Sequence, residues 1–160
     1  MKIGNIEQLV PKYENVEIRP DVSIRIAQVP IGFDQETEKE LPTPPIPKTL
    51  VMGKNNTPVR ENGKVVYEPD REDPSYLMQL NEIDGLQTIR MIYHSIKDAP
   101  GIQFDTPTTE DKKLFYRNIR EEMRLFGFSL ADLATLAVAG GRVNAFSEEA
   151  LEKAKNSLAE

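Results

Sequence analysis

Apolar and polar residues alternate along "VSIRIAQV", Val22 to Val29, with Val22, Ile24 and Ile26 set against Ser23, Arg25 and Ala27. A period of two belongs to a strand with one buried face, so the segment predicts a strand. A second β signal stands at "PVRENGKVVYEP", where Asn62-Gly63 separates two β-rich runs. Both residues accept the positive φ angles of a type I′ turn, which predicts a small hairpin. Between the two signals lies "DQETEKELPTPPIPK", acidic and then dense in proline. Proline has no N–H to give to a sheet, and residues 34–48 read as an extended, mobile linker. The spacing of Pro42, Pro44, Pro45 and Pro47 also fits a ligand for a partner's groove, but a plain spacer is the simpler reading.

Beyond Tyr67 the period lengthens. In "YEPDREDPSYLMQL", Asp73 precedes Pro74: the carboxylate can accept orphan backbone N–H groups, and a proline at the first helical position forfeits none that mattered. A helix is therefore expected to start at Pro74, with Asp70, Glu72 and Asp73 near its positive end. A calcium loop is the competing reading of these acids. It lacks the required glycine and the closing glutamate, since Asn81 stands twelfth from Asp70. Along "PSYLMQLNEIDGLQTIRMIYHSIKD", Tyr76, Leu77, Leu80 and Ile83 fall on one side of a helix. Leu86, Ile89, Ile92, Tyr93 and Ile96 fall nearly opposite. The change of face near Gly85 predicts a straight helix that touches the hairpin with its first half and a helical bundle with its second.

Three further helices are expected. Thr108 begins one, with Asp111 three residues on and Phe115, Tyr116, Ile119, Met123 and Phe126 in a single stripe, closed by a left-handed Gly127. Ser129 caps "LADLATLAVAG", ended by Gly140-Gly141. Ser147 caps the last, with Phe146 and Leu151 meeting across the cap and Leu151, Ala154 and Leu158 facing inward. The fold class is thus α+β: a small hairpin and strand region in the N-terminal half and a mainly helical C-terminal half. The expected division is an extended lead with a short strand and proline-rich linker over residues 1–48, then a hairpin-plus-helical domain over residues 49–160.

Composition narrows the function. The chain has 160 residues, 39% of them apolar, enough for one core. Its net charge of -6 is spread along the sequence, which argues against attraction of the whole domain to nucleic acid or anionic lipid. It has no cysteine, so disulfides and thiolate metal sites are excluded. No apolar run approaches the roughly 18 residues of a membrane span, and "MKIGNIEQLV" lacks the apolar core of a secretion signal. A soluble, intracellular protein without a membrane partner is expected.

Candidate chemistry is sparse. His94 is the single histidine, so neither a histidine pair for a metal nor an extended relay can be built. Gly140-Gly141-Arg142 is no phosphate loop, because the GxxxxGK[ST] spacing is missing from the chain. Glu121-Glu122 and Glu148-Glu149 are helix neighbours that do not face each other. These readings point away from an enzyme and from any cofactor. One constellation remains: Lys113, Arg117, Arg120 and Arg124 recur at spacings of four, three and four, placing four cations on one helix face. A solvated face is the plain reading. The sharper one is a contact for an acidic protein surface, ranked above nucleic acid because no aromatics interleave with the cations.

The proline-rich lead, the Asn-Gly hairpin, "DREDPSYLMQLNEIDGLQTIRMIY" and the capped helical segment after it resemble, over about residues 42 to 126, the tail assembly chaperones of long-tailed bacteriophages. This chain has a longer lead than those proteins and no tryptophan. The resemblance implies a non-enzymatic morphogenesis factor that binds the tape-measure protein in the host cytoplasm before the tail tube polymerises around it. A structural virion protein, such as a head completion or tail connector subunit, is the alternative from a different class. A DNA-binding regulator acting through the basic face ranks third.

Overall fold

The structure, a computed structural model, describes residues 13–144. The helix expected at Ser147 lies outside these residues. The fold is α+β, with helices separated from small antiparallel strand pairs.

The described residues open with a hairpin of β1 (Tyr13–Arg19) and β2 (Val22–Ala27). Val16 pairs with Ile24, and the turn at Pro20-Asp21 is entered through a register shift between Glu17 and Arg19. The alternation read in β2 buries Ile24 and Ile26 and leaves Ser23 and Arg25 in solvent. Its partner β1 was not expected from the sequence, although Val16 and Ile18 carry the same period. The hairpin packs on the helices, so the lead is part of the main core and that core does not divide at residue 48.

The extended linker expected over residues 34–48 is corrected at its first half, where α1 (Phe33–Glu40) is a helix. Phe33, Thr37 and Leu41 recur every four residues and are all buried, which gives this acidic segment an inward face. Only the proline-dense part from Pro42 to Pro47 lies outside regular structure.

After it come β3 (Lys48–Leu50), β4 (Arg60–Glu61), β5 (Lys64–Val65) and β6 (Tyr67–Pro69). The β4–β5 turn is the expected Asn-Gly hairpin, with φ of 50° at Asn62 and 79° at Gly63. Then α2 (Pro74–Ile96) runs unbroken through Gly85. Its start is the expected one: Asp73 Oδ1 accepts from the Tyr76 N–H at 2.7 Å, with Pro74 in the first turn. Asp73→Ala is expected to cost about 0.5–2 kcal/mol, measured as a shift in the urea midpoint at constant slope.

The second-half face of α2, Leu86, Ile89, Ile92 and Ile96, is buried as expected. Of the first-half face, Ile83 is buried, Tyr76 and Leu80 are half-buried and Leu77 is exposed, as is Met78 beside it; the strands and helices packed most closely on α2 are β2, α3 and α4, not the Asn-Gly hairpin.

The next helix, α3 (Lys112–Leu125), starts later than Thr108. Asp111 is its cap and accepts from the Leu114 N–H at 3.0 Å. Phe115, Tyr116, Ile119 and Met123 are buried, whereas Phe126 has passed the helix end and is exposed. Gly127, at φ 90°, closes α3 in a Schellman arrangement: the Phe128 N–H donates to Met123 O and the Gly127 N–H to Arg124 O.

Ser129 caps α4 (Leu130–Asn144) in a reciprocal box with Asp132. The helix does not stop at Gly140-Gly141. Gly140 lies on the buried face of α4, where a Cβ would meet Met91 Cε of α2 at an ordinary contact distance of 3.4 Å. One core results, joining Val16, Ile24 and Ile26 of the hairpin to the inner faces of α2, α3 and α4.

Candidate partner-binding surface

The densest polar cluster lies between α1, α2 and α3 and is centred on Arg90, which is 2% exposed. Its Nε donates to Glu40 Oε2 at 2.7 Å, and Nη1 donates to Thr37 Oγ1 at 2.6 Å and to Phe33 O at 3.5 Å. The guanidinium also lies over the Phe33 ring, 4.0 Å from its centroid. The Tyr116 hydroxyl donates to Glu40 at 3.2 Å, and His94 Nε2 lies 3.3 Å from the same hydroxyl.

Burial raises the Glu40 pKa, but the hydrogen bond and charge of Arg90 outweigh it and hold the carboxyl below its ordinary value. Burial, then the charges of Arg90 and Lys97, push His94 down to about 4. Burial and then the Glu40 charge raise the Tyr116 hydroxyl. At neutral pH His94 is a neutral ring stacked edge-on against Phe33 and Tyr93. The cluster ties α1 to the helices, and each of its polar groups is taken up by another member.

The four cations singled out in the sequence, Lys113, Arg117, Arg120 and Arg124, are all exposed on α3. They do not form one free basic face. Arg117 pairs with Glu82 of α2, and Arg124 pairs with Glu121 one turn back. Lys113 and Arg120 carry no ion pair among the described residues. This neutralises half of the expected charge and weakens the stripe as a contact for an acidic partner.

A different surface emerges from burial. From Pro42 to Glu82 no residue is buried. The four short strands form an arm: β3 and β6 make a two-stranded ribbon, and β4 and β5 make a second one beyond it. The two are joined by a ring of backbone hydrogen bonds, in which Val51 donates to Val66 O, Val66 to Val59 O, and Val59 to Val51 O. Two-stranded ribbons are marginal in water without a further layer.

Met52, Tyr67 and Leu77 are exposed, and Met78 is 68% exposed. On the ribbon Leu50 pairs with Tyr67, which puts both on one face with Lys48. Sequence reasoning missed this surface because it assigned the first half of α2 to contact with the hairpin. The available signal was the shift of apolar face at Gly85, which strands Leu77 away from the helical core.

A groove of about 610 Å³ lies between the β2–α1 connection, α2 and the end of α4. Val29, Pro30, Ile31, Phe33 and Met91 supply its apolar lining and Asp34 and Asp84 its carboxylates, and among the described residues no Lys or Arg lines it. Asn144 holds one side by accepting from the Val29 N–H at 2.9 Å. Among the described residues no group of His, Asp and Glu is arranged to hold a metal ion, and no helix is long and apolar enough to cross a membrane.

No protein-family model matches the chain, and no similar curated protein or solved structure was found.

Proposed function

We propose that this chain is a non-enzymatic assembly factor of the tailed-phage tail-chaperone kind, holding the tape-measure protein in the host cytoplasm during tail assembly. The observation that carries the reading is the unburied stretch from Pro42 to Glu82 with Met52, Tyr67, Leu77 and Met78 in solvent. Exposed apolar side chains on adjoining segments mark surfaces that another protein covers. Methionine in particular adapts to irregular apolar partners, which suits a long apolar client. The taking up of His94, Tyr116, Glu40 and Arg90 in one structural cluster supports a binding role over a catalytic one.

The test is co-expression with a candidate tape-measure protein. The wild-type chain is expected to keep that protein in the soluble fraction and to be absent from purified particles. Leu77→Glu with Met78→Glu is expected to abolish the effect while changing folding stability by no more than about 0.5 kcal/mol, as both positions are on the surface. Unchanged client solubility in that variant removes the assignment of this face. Fixed copy number in the finished particle points to a connector subunit instead.

A further inference from the structure

The arm and the groove have opposite charge. Between Lys48 and Pro69 the arm carries Lys48, Lys54, Arg60 and Lys64 against Glu61 and Glu68, within a chain of net charge -6. The groove carries Asp34 and Asp84, both exposed, above its apolar lining, with no cation lining it among the described residues. A cationic strand ribbon with apolar side chains on one face therefore matches it in charge and in polarity.

We infer that the chain associates with itself head to tail, the basic arm of one copy seating in the acidic groove between α1 and α2 of the next. Leu50 and Tyr67 of the arm supply the apolar face, and Lys48 stands beside them on the same side of the ribbon. Seating the ribbon would give it the further layer that it lacks in the single chain. The contact joins two different patches, so it is heterologous, and repeated copies form a ring or an open filament. Because the charges are exposed, the association weakens as salt shortens the screening length. This goes beyond the client-binding reading; the two share Tyr67 of the arm, but Leu77 and Met78 take no part in the self-contact, so the Leu77 and Met78 variant decides the client reading separately and is expected to self-associate normally.

The experiment is sedimentation of the full-length chain over a wide concentration range, at low and high salt, with two variants. Lys48→Glu with Lys64→Glu reverses the arm, and Asp34→Lys with Asp84→Lys reverses the groove. All four side chains are exposed, and circular dichroism checks that both variants fold.

Each variant alone is expected to weaken self-association at least about tenfold, because like charges are brought together at the contact. An equimolar mixture of the two is expected to restore association, since the unaltered arm of one copy meets the unaltered groove of the other, and the two reversed patches are again opposite in charge. A wild-type chain that stays monomeric at every concentration overturns the inference. So does self-association indifferent to both reversals. Retention of duplex DNA that falls with the arm reversal, while self-association does not, assigns the arm to nucleic acid and likewise overturns it.

Discussion

Replacing Arg90 with alanine is expected to cost about 3–5 kcal/mol of folding stability, the range for removing one member of a buried, hydrogen-bonded ion pair. The substitution leaves Thr37 Oγ1 without its donor, removes the Nε hydrogen bond to Glu40 and strips the cation from the Phe33 ring. Glu40 keeps the Tyr116 hydroxyl and is partly open to water, which places the loss nearer the lower end.

Arg90→Lys is expected to recover little, because an ammonium cannot reach Glu40, Thr37 and the Phe33 carbonyl at once as the fork of a guanidinium does. Urea denaturation gives the loss, and limited proteolysis should detect α1 cut ahead of the rest. A loss below about 1 kcal/mol would mean that Phe33 and Leu41 alone hold α1, and that the polar cluster is incidental.

The second large effect is on pH. His94 has an ordinary pKa of 6.5 in the unfolded chain and about 4 in the folded one. Between these values the unfolded state binds a proton that the folded state refuses, so stability falls as pH drops through this window and levels off below it. The limiting slope is about 1.4 kcal/mol per pH unit. Allowing for partial exposure of the ring, the loss between pH 6.5 and 5 is about 1–2 kcal/mol.

The charges around His94 are Arg90 and Lys97 on its own helix, Glu40 of α1 and Asp98 beyond the helix end, with the Tyr116 hydroxyl facing it from α3. His94→Phe keeps an aromatic ring between Phe33 and Tyr93 and removes the titration. Its stability should be flat across that window, before the depressed carboxyls of Glu40 and Glu122 begin to titrate. Equal slopes in the two proteins would show that the histidine is solvated.

The parts of this fold that could be read in advance are those whose cause is local. Asp73 caps α2 through an atom three residues away, and Asn62-Gly63 turns a hairpin with its own backbone angles, so each signal lies within a few residues. What escaped has a distant cause. The α1 segment has few apolar residues and is held by Arg90, fifty positions downstream of Glu40. Even so, the four-residue spacing of Phe33, Thr37 and Leu41 was there to be read.

Gly140-Gly141 looked like a helix stop, but α4 runs on through it to Asn144, carried by a buried face that continues from Leu136 and Ala139 to Val143. Of the surface, the cations on α3 were legible as a stripe. That Glu82 and Glu121 neutralise two of them depends on how α2 lies against α3 and on which rotamers meet.

The arm has one more consequence, for how such a chain can change. Its two ends are pinned together, the Asp70 N–H donating to Pro47 O at 2.8 Å, and nothing between them enters the core. Closing so narrow a gap with a short turn adds little chain entropy. The segment from Lys48 to Pro69 is therefore a cassette: it can be excised, exchanged for a ribbon of different specificity or moved to another scaffold, while the packed body beneath it goes on folding by the same contacts.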